Sequence, residues 1–247
     1  MVDFGPQQPD WSYPMQPDNW MATPAQAPSP TLAPSANKVL RNTYMLLAIS
    51  MVPTVLGAWL GVQMGFSFFA ANPFIGVMLF LAIAFGFFFA IEKLKNTAWG
   101  VVLLLAFTFF MGLMLSRLVG GVLGFRNGAS LIGLAFGGTA AIFAVMASIA
   151  ATTKRDLSNM GKFLFIGMVM LLVAGIANIF LQIPALMIGL SLIAIAIFSA
   201  YMLYDINRII TGGETNYITA TLAIYLDVYN VFANLLALLG IFGGDRD

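Results

Sequence analysis

Two aspartates interrupt apolar runs in the last quarter of the chain: Asp205, within Tyr201-Met-Leu-Tyr-Asp205-Ile-Asn207, and Asp227, within Ile224-Tyr-Leu-Asp227-Val-Tyr-Asn230. An ionised carboxylate in hydrocarbon costs roughly 2.5–3.5 kcal/mol on insertion scales. Each of the two therefore needs a partner, a proton or water. Carboxylates that share a site do not both ionise cheaply, so such a pair holds a single proton. A shared proton makes a pH-sensitive contact between helices, and the ionised pair offers oxygen ligands to a divalent cation such as calcium. A purely structural reading stands beside this one. Arg208, three residues beyond Asp205, can pair with it along the same helix. Tyr201, Tyr204, Tyr225, Tyr229 or Asn230 can satisfy Asp227 by hydrogen bonding.

Composition narrows the chemistry. The 247 residues are 60% hydrophobic and 9% charged, against about 25% charged in soluble domains, so the apolar surplus must face lipid. A net charge of +1 points to no nucleic acid or other acidic partner. The chain has no Cys and no His, which removes thiol catalysis, disulfides, His-based triads and the usual zinc ligands. Nothing calls for a cofactor or a catalytic residue, and the expected class is non-enzymatic. Proton chemistry near neutral pH would rest on the carboxylates.

The elements that hold them are membrane helices. About 20 mostly apolar residues cross the roughly 30 Å hydrocarbon layer, and such windows lie at 42–64, 74–93, 97–116, 129–151, 163–182, 185–207 and 219–242. This predicts an all-α fold of seven transmembrane helices. With the N-terminus inside, Lys38, Arg41, Lys93, Lys95, Lys154, Arg155, Lys162 and Arg208 fall on the cytoplasmic side, and Arg117, Arg126 and Arg246 on the other. That bias predicts a cytoplasmic N-terminus and a periplasmic C-terminus. Asp227, Asn230 and Asn234, spaced i, i+3, i+7, share one face of the last span. A polar stripe is buried against other helices and not against lipid, so the last helix should be central. Gly57, Gly61 and Gly65 in the first span, and Gly133 and Gly137 in the fourth, are expected at close helix contacts. The turn near Gly212-Gly213 would bring Asp205 and Asp227 to similar depth on adjacent helices.

Residues 1–36 have another character. They hold eight of the eleven prolines, with Gln, Ser and three aspartates, and lack the basic start and apolar core of a signal peptide. The expectation is a disordered Pro-rich cytoplasmic tail ahead of a transmembrane domain at 37–247. It serves as a spacer or, through Trp11, Tyr13 and Trp20, as a docking or degradation handle.

Two aspartates on neighbouring spans also raise an intramembrane aspartyl protease, with Pro184-Ala185-Leu186 as its triplet. The order is wrong for one: the triplet precedes both aspartates, and Leu226, not a Gly-x-Gly, precedes Asp227.

The runs Ser199-Ala-Tyr-Met-Leu-Tyr-Asp205, Ile209-Ile-Thr-Gly-Gly-Glu-Thr-Asn-Tyr217, Leu226-Asp-Val-Tyr-Asn230 and Leu235-Leu-Ala-Leu-Leu-Gly240 resemble the signature of the Bax inhibitor-1 family. Asn37-Lys-Val-Leu-Arg-Asn-Thr-Tyr44 and Ala177-Asn-Ile-Phe-Leu-Gln-Ile-Pro-Ala-Leu186 are similar to its bacterial YccA-like branch, over roughly residues 37–242. The resemblance implies a multi-pass protein of the bacterial inner membrane that interacts with the protease FtsH and modulates it, with the N-terminal tail as the protease's handle. It also implies an alternative, a pH-gated calcium leak whose sensor positions fall on Asp205 and Asp227, supported by Tyr204, Arg208, Tyr225, Asn230 and Asn234. Leak-channel members latch the pair with an Arg in the second span. Here Phe74 to Ala90 contains none, so either the latch is absent or Arg208 or another cation replaces it.

Overall fold

A computed structural model describes residues 34–66, 72–153 and 157–244. Among the described residues there are seven helices: α1 (Pro34–Gln63), α2 (Pro73–Leu94), α3 (Ala98–Leu123), α4 (Gly128–Thr152), α5 (Ser158–Leu181), α6 (Pro184–Ile210) and α7 (Tyr217–Gly243). All seven are long and apolar enough to cross a membrane. Nearly all of the tail expected at 1–36 lies outside the described residues; its last three residues, Pro34 to Ala36, already form the first turn of α1.

Helix boundaries follow local chemistry. Asn72 caps α2, its side chain accepting from the Phe74 and Ile75 amides, and Pro73 occupies the first turn, where its missing N–H leaves nothing unpaired. Asn216 caps α7 in the same way through the Ile218 and Thr219 amides. Its Nδ2 donates to the Lys95 carbonyl and to Asn96 Oδ1, tying the start of α7 to the α2–α3 turn. The α5–α6 hairpin turns on Gln182 in the left-handed region (φ 52°), ahead of Pro184.

Three boundaries differ from the sequence expectation by five residues or more: α1 begins at Pro34 rather than near 42, α5 begins at Ser158 rather than near 163, and α3 ends late. The third span ends at Leu123 rather than near residue 116, so Arg117 lies within the helix and not in a junction. Leu118-Val-Gly-Gly-Val-Leu123 continues the apolar run beyond it, and Arg117 is exposed, where a long side chain can snorkel to the interface.

The helix α7 occupies the centre, packing against α1, α2, α3, α4 and α6. Its Ile218, Ile224, Val231 and Leu236 are fully buried. Without water to drive helices together, close approach and hydrogen bonds do so. On α1, a Cβ on Gly57 would stand 2.2 Å from the Phe109 carbonyl oxygen, and one on Gly61 would stand 2.5 Å from Ser116 Cβ. On α3, a Cβ on Gly112 would stand 2.1 Å from the Thr54 carbonyl oxygen. The α1–α3 seam therefore depends on glycine from both sides. Gly133 and Gly137 of α4, expected at such a contact, have no heavy atom of another element within 4 Å of a Cβ position, and Gly65 lies beyond the end of α1 (φ 60°). Spacing alone does not say which glycine stripe meets a neighbour.

Candidate functional site

The antiparallel helices α6 and α7 bring Asp205 and Asp227 close enough for each carboxyl to act on the other. Asp227 is buried (4% exposed), and no N–H or O–H donor reaches its Oδ2. A carboxylate has no proton to donate, so two carboxyls can bond to each other only with one proton between them. Tyr201, one turn before Asp205, is near enough to feel the charge of both.

The other residues singled out from sequence disperse. Residues two apart on a helix point about 200° away from each other, so Tyr225 faces away from Asp227. Its hydroxyl meets Thr54 Oγ1 of α1 at 2.9 Å. Tyr229 donates to the Met111 carbonyl of α3 at 3.2 Å. Asn230 and Asn234 share the Asp227 stripe, but each amide turns back to its own helix, donating to the Leu226 and Asn230 carbonyls at 2.8 Å. Tyr204 meets α5, where a Cβ on Gly161 would lie 2.7 Å from its hydroxyl. The structural alternative for Asp227, a tyrosine or Asn230 as donor, thus loses Tyr225, Tyr229 and Asn230 to other acceptors.

Arg208 forms its ion pair with Glu214 of the α6–α7 turn, at 3.7 Å, and not with Asp205. Its charge nevertheless acts on Asp205 across one helical turn. At the end of α2, Lys95 pairs with Glu92, and Lys93 lies over the Phe89 ring at 4.4 Å. A small polar cavity at the C-terminal end of α6 is lined by Tyr204, Asn207, Arg208, Thr211 and Gly213, and by neither aspartate. Asn207 is buried there with its Nδ2 unpartnered. Among the described residues no three acidic, His or Cys side chains converge. A cation at the pair would therefore take two carboxyl groups and water, short of the six to eight oxygens of a dedicated calcium site.

Sequence reading passed over a second polar feature, a seam between α1, α3 and α7. Thr54 Oγ1 donates within reach of the Ser50 carbonyl (2.9 Å) and the Thr108 carbonyl (3.2 Å), and Tyr225 Oη lies 3.4 Å from the latter. Thr221 Oγ1 reaches the Thr43 carbonyl at 3.3 Å. The signal was present: Thr221, Tyr225 and Tyr229 recur at i, i+4, i+8 on the face opposite the aspartate stripe.

Comparison with known proteins adds the following. The family model described as "Inhibitor of apoptosis-promoting Bax1" matches residues 36–244. An uncharacterized protein of Pseudomonas aeruginosa is 40% identical over 207 residues, covering 84% of this chain and 90% of that protein. An uncharacterized protein of Neisseria meningitidis serogroup B is 38% identical over 213 residues, covering 85% and 94%. The Escherichia coli K12 protein named "Modulator of FtsH protease YccA" is 37% identical over 211 residues, covering 85% and 93%.

Proposed function

The chain belongs to the Bax inhibitor-1 family, and from that premise we propose that it is a non-enzymatic regulator in the bacterial inner membrane that binds FtsH and modulates its proteolysis. The observation that carries this reading is identity to the named FtsH modulator across nearly the whole seven-helix body. The N-terminus is cytoplasmic in this reading and the C-terminus periplasmic, following the Lys and Arg bias. Residues 1–36 then lie on the cytoplasmic side as the segment offered to the protease. The test is to co-purify FtsH with the full chain from membranes and to follow degradation of a membrane-protein substrate with and without it. Slower degradation and a shared complex support the proposal; neither effect at stoichiometric expression rejects it.

The contact between Asp205 and Asp227 favours a second activity, a pH-gated cation leak. One proton bonds the two carboxyls and holds α6 against α7. Losing it leaves two like charges in contact, which pushes the helices apart and offers oxygens to calcium. No arginine stands in α2, and Arg208 is the cation acting on Asp205 in place of a latch from that helix. Calcium flux in liposomes, measured against pH for the wild type, Asp205→Asn and Asp227→Asn, decides it. Flux and pH dependence that survive both substitutions reject the leak.

A further inference from the structure

The polar cavity at the C-terminal end of α6, about 260 Å³ in volume, is walled by hydrogen-bond donors without acceptors. Tyr204, Asn207 and Arg208 recur at i, i+3, i+4 and so share one face of the helix. Asn207 is 2% exposed, and its Nδ2 has no partner. Among the described residues no hydrogen bond forms at the Tyr204 hydroxyl or at the Arg208 guanidinium. Glu214 Oε2 faces that guanidinium at 3.7 Å, too long for a hydrogen bond. The other carboxylate oxygen accepts from the Thr215 and Asn216 amides. The stem of Arg208 lies against Gly213, where a Cβ would stand 3.1 Å from its Cγ.

The acceptors at this end of α6 are already engaged. The Asn207 carbonyl takes the Thr211 amide at 2.8 Å and the Thr211 hydroxyl at 3.0 Å. The Arg208 carbonyl takes the Gly213 and Glu214 amides at 2.8 and 3.1 Å, and the Ile209 carbonyl takes the Gly212 amide at 3.2 Å. Gly212, at φ 80°, is the left-handed residue that lets the chain fold back over the helix end. Free donors beside engaged carbonyls suit an oxyanion and not a cation.

We propose that this cavity binds a phosphate group, held by the Arg208 guanidinium, Asn207 Nδ2 and the Tyr204 hydroxyl. A buried amide donor without an acceptor leaves its desolvation uncompensated. A single water would answer Asn207 alone, and the cavity is far larger than the roughly 30 Å³ share of one water. The guanidinium fork takes two oxygens of an oxyanion side by side. A carboxylate has no more than those two. Phosphate has further oxygens for the amide and the hydroxyl, so three donor side chains match its tetrahedral shape. Glu214 opposes the anion, and its Oε2, held only across 3.7 Å, is the group that yields. The cavity stands at the end of a membrane-crossing helix, where a lipid headgroup and a phosphate ester in solution can both reach it.

The experiment uses the full chain in a non-ionic detergent at constant ionic strength. It is titrated separately with inorganic phosphate, glycerol phosphate and dihexanoyl phosphatidylglycerol, and binding is read by calorimetry and by phosphorus NMR line width. Saturable binding at one site per chain is expected. Binding of the two water-soluble probes as well as the lipid assigns the phosphate to a solute, and binding of the lipid alone assigns it to a headgroup; either supports the proposal. Arg208→Gln and Asn207→Asp should each weaken binding by roughly tenfold or more, as loss of a hydrogen bond to a charged group does. Tyr204→Phe removes one oxygen and little packing, and should weaken binding by about fivefold, which keeps the test open if Asn207→Asp does not fold. Lys93→Gln, which removes the same charge at the end of α2, should bind as the wild type does. The proposal is overturned if no probe saturates on the wild type or if Arg208→Gln and Tyr204→Phe bind undiminished. Equal weakening by Arg208→Gln and Lys93→Gln also overturns it, since surface charge alone would then account for the binding.

Discussion

Thr54 and Tyr225, 171 residues apart in sequence, share a 2.9 Å hydrogen bond at the meeting of α1, α3 and α7. The same threonine lends its carbonyl to the closest helix contact, against Gly112 of α3. One residue thus holds the central helix to the α1–α3 pair by hydroxyl and by backbone. Interhelical hydrogen bonds in membranes average about 0.6 kcal/mol and reach about 1.7. Tyr225→Phe and Thr54→Val should each destabilise within that range. The double variant should lose less than the sum, since both remove the same bond. Denaturation in mixed micelles measures it, and strict additivity would show that the bond carries no stability.

The glycine contacts predict opposite outcomes for one substitution at two sites. Gly112→Ala forces a methyl to within 2.1 Å of the Thr54 carbonyl oxygen, which the α1–α3 seam can accept only by separating. Overpacking of that kind costs about 1–3 kcal/mol. Gly133→Ala meets open space in mid-helix and should be neutral, or stabilising by about 1 kcal/mol through helix propensity. Thermal unfolding of the two variants side by side gives the comparison.

Those glycines mark how far sequence reading reaches. Seven spans, a central last helix and the two intramembrane aspartates were legible, because hydrocarbon thickness and the cost of buried charge act on composition directly. Partner choice was not. Gly57 and Gly133 look alike in sequence, yet one meets a backbone and the other meets nothing in the fold. Tyr225 lies two residues from Asp227 and was read as its support; helical geometry sends it the opposite way. Arg117 reads as a boundary, yet a long aliphatic stem lets it stay within the span.

The cap at Asn216 joins two turns, so its loss should exceed that of an ordinary cap. Asn216→Ala removes the acceptor for two α7 amides and the donor to the Lys95 carbonyl. A cap alone is worth about 0.5–2 kcal/mol, and the upper half of that range is expected. Asn216→Asp keeps the cap and loses only the donor, so it should fall between wild type and Ala in a melting experiment.

For the tail, deletion of residues 1–36 should end FtsH-dependent turnover of the chain while leaving the seven-helix body folded. Pulse-chase in membranes with and without active protease reads it. Degradation at the wild-type rate would place the protease's handle elsewhere in the chain.

The aspartate contact carries a definite sign with pH. The bond between the two carboxyls exists only while they hold a proton, so the α6–α7 contact is intact on the acid side and lost as pH rises through the pair's titration. Calcium flux should therefore rise with pH, and a spin-label pair across the ends of α6 and α7 should move apart over the same interval. Asp227→Asn supplies a permanent donor to Asp205 and leaves at most one charge, so it should hold the contact at every pH and flatten both curves. Asp205→Asn should do the same from the other side. Replacing both by leucine removes donor, acceptor and charge together, and should also abolish the pH response, but without the bond. If flux instead rises on acidification, the proton opens the contact rather than closing it. Arg208 would then be the group to examine, since Arg208→Gln removes the charge that acts on Asp205 and should move the midpoint of the pH response.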